Sequence, residues 1–277
     1  MNFSEYNLWF FALIVLLGFA GGFLAGMLGV GGGLVFVPVF QEIVKNHEIA
    51  ADRVPYVLAN SLLIVFVVGI SGSIKHIKIK NTHLQAALTT GLAAVFSSLL
   101  LSYILIYFHI NDQKMFNYIF CGILLLTGIK MWYGKAPKGS IENEKAVIPP
   151  LKNFIPAGLI AGLITAITGL GGGVILIPYF NKVLKLPIKF STGLSLTVIP
   201  IIALPLLIFY MLNKPEMELF KGLQTGHILW PTVFPMIVAA AIASPYGIKT
   251  AQKMSSNTLL IIFLIFISVN MTKILFF

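Results

Sequence analysis

Long apolar runs alternate with short polar connections along this chain. The first extends from Leu8 to Leu28, and as a helix it reaches roughly 31 Å, enough to cross the hydrocarbon layer of a membrane. A shorter piece, Leu34 to Val44, follows a glycine cluster. Val54–Ile70, Leu84–Phe108 and Met115–Trp132 come next, separated by Lys45–Arg53, a basic loop with Lys75, Lys78 and Lys80, and the turn Asn111-Asp112-Gln113-Lys114. After the hydrophilic stretch Gly134–Lys152 the order returns: Phe154–Thr168, Val174–Phe180, Phe190–Leu212, Gly226–Ile248 and Thr258–Phe276. The runs are continuous and do not alternate with period two, so they predict helices and not a barrel.

One stretch is written twice. Gly29-Val30-Gly31-Gly32-Gly33 with Pro38 and Phe40 returns as Gly169-Leu170-Gly171-Gly172-Gly173 with Pro178 and Phe180, at a constant offset of 140 positions. Gly18 and Gly22 match Gly158 and Gly162 at the same offset. Shared apolar bias aligns leucines by accident, but not glycines and a proline. The pattern predicts an internal duplication: residues 1–133 as a first repeat, 134–152 as a cytoplasmic linker and 153–277 as a second repeat.

Composition agrees with the runs. Of 277 residues 58% are hydrophobic and only 10% charged, with mean hydropathy +0.94, whereas a soluble domain carries about 25% charged residues. The net charge of +10 sits at the ends of apolar segments, where Lys and Arg set topology; no nucleic-acid partner is expected. The single Cys121 makes neither an intrachain disulfide nor a zinc site. The run from Leu8 lacks a basic leader and cleavage site, so it reads as a retained helix.

Charge also arbitrates the path at the glycines. If each half crosses four times, the basic residues divide 11 against 8. If the piece after each glycine cluster returns toward the starting side, they divide 13 against 6, the cleaner split. An odd number of segments per half turns the second half upside down. The expected fold is therefore an all-α polytopic membrane protein of two inverted repeats, each with four full transmembrane helices plus a Gly-broken half-helix. Both termini would lie outside.

Breaking a helix at depth exposes N–H groups that lipid cannot satisfy. It also presents the positive end of a helix dipole, an anion site that needs no buried cation. The candidate substrate-binding residues are therefore Gly31, Gly32, Gly33, Gly171, Gly172 and Gly173. Added to them are the polar side chains of the helices that follow each break: Asn60, Ser61, Thr192 and Ser195. A Ser-Leu pair recurs there (Ser61-Leu62 and Ser195-Leu196). Thr197 is a weaker candidate, and Thr165 and Thr168 stand where the first half has Ala25 and Leu28. Gly18, Gly22 and Gly26 are read as helix-packing glycines.

No Asp, Glu, Lys or Arg falls in the middle of a predicted span, so no proton relay of the usual kind is visible. His83, His109 and His227 lie at segment ends. No phosphate-binding loop or nucleophile elbow is present; no enzyme activity, cofactor or metal is expected.

The paired Gly-x-Gly-Gly-Gly stretches, each followed by a proline and then a Ser-Leu helix, resemble the TauE/SafE family. The likeness includes Asn60-Ser61-Leu62, Leu194-Ser195-Leu196 and Gly226-x-x-x-Trp230, a mark that the corresponding Lys80-Asn81-Thr82-His83 lacks. The resemblance implies a bacterial inner-membrane permease with duplicated halves that handles sulfite, sulfonates or other organic anions. The expectation is a secondary transporter exporting a small anion by alternating access. Its partners are that anion and the bilayer, and the sequence leaves a homodimer open. The alternatives are a membrane scaffold or assembly protein without transport, and a permease for uptake of an unrelated small organic anion.

Overall fold

The computed structural model describes residues 8–45, 53–108, 113–133, 147–215, 218–219, 222–255 and scattered positions from 258 to 272. It is helical almost throughout. The helices are α1 (Leu8–Leu28), α2 (Gly33–Lys45), α3 (Arg53–Lys78), α4 (Leu84–Tyr107), α5 (Gln113–Tyr133), α6 (Ile155–Thr168), α7 (Gly173–Pro178), α8 (Ile188–Leu212) and α9 (Trp230–Lys253). A 3-10 turn precedes α6 and a π-turn, Tyr179–Val183, extends α7. Among the described residues six helical stretches are long and apolar enough to cross a membrane: those of α1, α3, α4, α6 with its leading turn, α8 and α9. The chain is a multi-pass membrane protein. Residues 134–146 of the expected linker, His109 and most of the last apolar segment lie outside the described residues.

Two boundaries differ from the hydropathy reading. Helix α3 does not stop at Ile70 but runs on to Lys78. Nothing after Ile70 breaks a helix, and lysine stems extend it to the membrane surface. Conversely, α9 does not begin at Gly226. Gln224–Thr225 and Ile228–Leu229 pair as a two-stranded hairpin, β1 and β2, whose turn is Gly226-His227 with Gly226 at φ 55°. The helix then starts at Trp230, with Pro231 in the first turn, where a missing N–H costs nothing.

The register of side-chain contacts fixes the sense of each helix. Gly18, Gly22 and Gly26 of α1 lie against Met236, Ala240 and Ser244 of α9 in rising order, so the two run parallel. Gly158 and Gly162 of α6 lie against Thr90 and Ala94 of α4 in the same way. Helix α3 is parallel to α9: Asn60 meets Leu229, and Ser71 Oγ donates to Ala241 O at 3.1 Å. Helices α3 and α8 are antiparallel, with Gly69 against Pro200, Gly72 against Leu196, and His76 against Gly193. Gly91 against Ile201 and Thr82 against Thr197 make α4 parallel to α8. Thus α1, α3 and α9 run one way, and α4, α6 and α8 the other.

Because α1 and α3 share a sense, the chain turns back between them; α6 and α8 imply the same return after the second break. Each first helix packs on a helix of the opposite sequence half, α1 on α9 and α6 on α4. The glycines permit this. A Cβ on Gly22 would collide with the Ala240 backbone, and one on Gly162 with the Ala94 carbonyl. Close backbone approach of this kind is a main source of helix association in lipid, where apolar surfaces gain nothing from leaving water.

Candidate functional site

The two glycine breaks are built alike. Gly29 ends α1 at φ 75°, its N–H bonded to Ala25 O at 2.9 Å; Gly169 ends α6 at φ 67°, bonded to Thr165 O at 2.8 Å. These are left-handed caps that only glycine takes without strain. Gly32 (φ 91°) then opens α2 by accepting from Val35 and Phe36 N–H, as Gly172 (φ 76°) opens α7 by accepting from Ile175 and Leu176. Pro38 and Pro178 follow inside these returning helices.

The breaks meet. A Cβ on Gly33 would stand 2.5 Å from Leu170 Cα, and one on Gly173 would stand 2.7 Å from Val30 Cα. The contact is reciprocal, and every residue from Gly29 to Leu34 and from Gly169 to Val174 is buried. Among the described residues no hydrogen bond is made by the N–H groups of Gly31, Gly32, Gly33 and Leu34, nor by those of Gly171, Gly172, Gly173 and Val174. Buried N–H groups are almost always paired. The junction thus brings together the first N–H groups of two helices, where the positive ends of the helix dipoles lie.

The serines close the frame from opposite halves. Ser195 Oγ of α8 donates to Gly29 O at 3.0 Å, and Ser61 Oγ of α3 reaches Gly169 O at 3.5 Å while also bonding Leu58 O at 3.1 Å. Thr192 packs its side chain against Gly29, yet its hydroxyl bonds back to Lys189 O at 2.8 Å. Thr165, Thr168 and Thr197 likewise bond carbonyls one turn back in their own helices. Over the junction lie Val65 of α3 and Ile199 of α8, both fully buried.

The hydrogen bonds of the Asn60 side chain go to α3 and to the β1–β2 hairpin, not to the breaks. Its Nδ2 donates to Tyr56 O (2.7 Å) and His227 O (2.9 Å), and its Oδ1 accepts from Leu229 N (2.8 Å). It pins the β1–β2 hairpin to α3. A substrate contact at Asn60 therefore requires that this clasp open. The hairpin carries a polar cluster that sequence reasoning missed: Gln224 Nε2 donates to Tyr56 OH at 3.0 Å, and the Tyr56 and His227 rings meet edge-on at 5.1 Å. Hydropathy gives no sign of it, because these residues straddle a segment boundary.

Residues 14–274 match the model of the family described as Sulfite exporter TauE/SafE. The chain is 28% identical over 247 residues to a "probable membrane transporter protein" of Methanocaldococcus jannaschii, covering 89% of this chain and 88% of the other. It is 23% identical over 264 residues to the probable membrane transporter protein YunE of Bacillus subtilis, covering 91% and 92%. A probable membrane transporter protein of Haemophilus influenzae is 25% identical over 269 residues, covering 95% and 98%. No solved structure matches the chain.

Proposed function

The chain belongs to the sulfite exporter TauE/SafE family of membrane transporters, and we propose that it exports a small anion, sulfite or an organosulfur anion, as a secondary transporter. The observation that carries this reading is that two buried glycine breaks, each opening a helix at Gly32 or Gly172, meet at one junction. An oxyanion has acceptor lone pairs in every direction and carries the charge these dipoles favour. In this reading Gly31–Gly33 and Gly171–Gly173 supply backbone donors. Ser61, Ser195 and Thr192 re-aim their hydroxyls from carbonyls to the anion, and Asn60 joins them when the hairpin clasp opens.

Two inverted repeats are part of the proposal. Their support is that α1 and α6, α3 and α8, and α4 and α9 are counterparts by sequence order yet run in opposite senses, and that the break contacts are reciprocal. Alternating access would then move two interleaved bundles, α1–α2–α3–α9 against α4–α6–α7–α8, with the repeats exchanging their fourth helices.

Orientation follows from charge. Lys75–Lys80, Lys152, Lys182–Lys189 and Lys249–Lys253 gather on one side, facing Lys45, Arg53, Lys114 and Lys214 on the other; the richer side is assigned to the cytoplasm. With the interior negative, an anion leaves downhill by about 2.3 kcal/mol per charge per 100 mV. Export then needs no acidic relay.

The test is flux through proteoliposomes with sulfite, short sulfonates and short carboxylates under an imposed potential. Electrogenic movement of one class supports the reading; none for any anion ends it. The rival reading, a membrane scaffold without transport, takes its support from the close backbone packing at the junction, and the same experiment separates the two.

A further inference from the structure

We infer that Val65 and Ile199 together form the size filter of the anion site, setting how large a group the transported anion can carry. The inference rests on the transport reading above. Val65 and Ile199 hold equivalent places in α3 and α8, at the same 134-residue spacing that separates Ser61 from Ser195. Both touch both breaks. A Cβ on Gly31 would stand 2.8 Å from Ile199 Cδ1 and 3.2 Å from Val65 Cγ1; one on Gly171 would stand 2.5 Å from Val65 Cγ1 and 3.4 Å from Ile199 Cγ2. These are the middle residues of each break, where the N–H rows lack partners.

The surroundings make the pair a wall, not filler of the main core. Val65 and Ile199 cluster with Leu196 and Ile248, separately from the large apolar cluster that holds the rest of the bundle together. Gly69 lets α8 approach so closely that its Cβ would stand 3.0 Å from Ile199 Cγ2. β-Branched side chains in helices keep essentially one χ1 rotamer, which holds the Val65 methyls and Ile199 Cγ2 in place. In this reading the anion's oxygens take the N–H groups of the breaks, and its remaining substituent abuts Val65 and Ile199, the side chains that touch both breaks. A bare oxyanion needs little room there, and each added methylene presses on Val65 or Ile199.

The experiment is initial flux into proteoliposomes of the full-length protein for methane-, ethane- and propanesulfonate, a series with one head and a growing tail. Val65→Ala and Ile199→Ala are each expected to raise the propane-to-methanesulfonate flux ratio about tenfold, the scale of one methylene in an apolar pocket. Val65→Ile adds bulk over Gly171 and is expected to lower the ratio; it decides the matter if an alanine variant fails to fold. Val65→Thr keeps the shape while replacing one methyl by a hydroxyl, and is expected to leave the ratio unchanged. A ratio indifferent to all four variants overturns the inference while leaving transport intact. So does an equal rise for every sulfonate, which would mark a leak, or a Thr variant that behaves like Ala. If the wild-type protein moves sulfite but none of the sulfonates, and no variant admits one, the filter is overturned while transport stands; if it moves no anion at all, the transport reading fails and the filter with it.

Discussion

Ser195 Oγ donates to the carbonyl of Gly29 across 3.0 Å, tying a helix of the second sequence half to the left-handed cap that ends the first helix of the other. Its counterpart, Ser61 to Gly169, is longer at 3.5 Å and shares its proton with Leu58 O. Ser195→Ala leaves a buried carbonyl unpaired, at a cost of about 1–3 kcal/mol. The expected result is a clear drop in melting temperature of the detergent-purified protein, and a smaller drop for Ser61→Ala, because Ser61 makes the weaker cross-half bond.

Asn60 separates packing from recognition. Asn60→Asp keeps the acceptor for Leu229 N–H but removes both donations from Nδ2, to Tyr56 O and His227 O. Losing buried donations of this kind costs about 1–3 kcal/mol. The variant is expected to unfold at lower temperature than wild type and to expose the Gln224–Leu229 hairpin to protease. A hairpin cut no faster than in wild type would show that the clasp does not hold it.

The helix pairs make opposite predictions for two glycines. Gly22→Ala places a Cβ into the Ala240 backbone and should abolish well-folded monodisperse protein, while Gly122 has nothing within 4 Å of the added Cβ. Gly122→Ala is expected to be neutral or to stabilise by about 1 kcal/mol, the helix-propensity difference. Size-exclusion profiles and melting curves of the two proteins check both signs.

Topology is tested by labelling single cysteines in a Cys121→Ser background. Cysteines at Lys78, Lys185 and Gln252 are expected to react from one side of the membrane, the cytoplasmic one, and cysteines at Lys45 and Lys214 from the other. Labelling of Lys185→Cys from the opposite side to Lys78→Cys would break the inverted arrangement.

Much of this molecule is written locally, and the sequence determined that part. Apolar length marks which segments span, because water and lipid sort side chains one by one. The glycine clusters mark where α1 and α6 end, because a left-handed cap needs glycine at Gly29 and Gly169 whatever lies nearby. Even the return of the chain after each break was legible, through the lopsided lysines. Tertiary structure alone decided who meets whom. That α1 packs on α9 and α6 on α4, that Asn60 holds a hairpin more than 160 residues away, and that Val65 and Ile199 cover both breaks is invisible to hydropathy. In lipid every apolar face is nearly equivalent to its surroundings, so partner choice rests on backbone approach and buried hydrogen bonds, and these form only between residues the fold brings together.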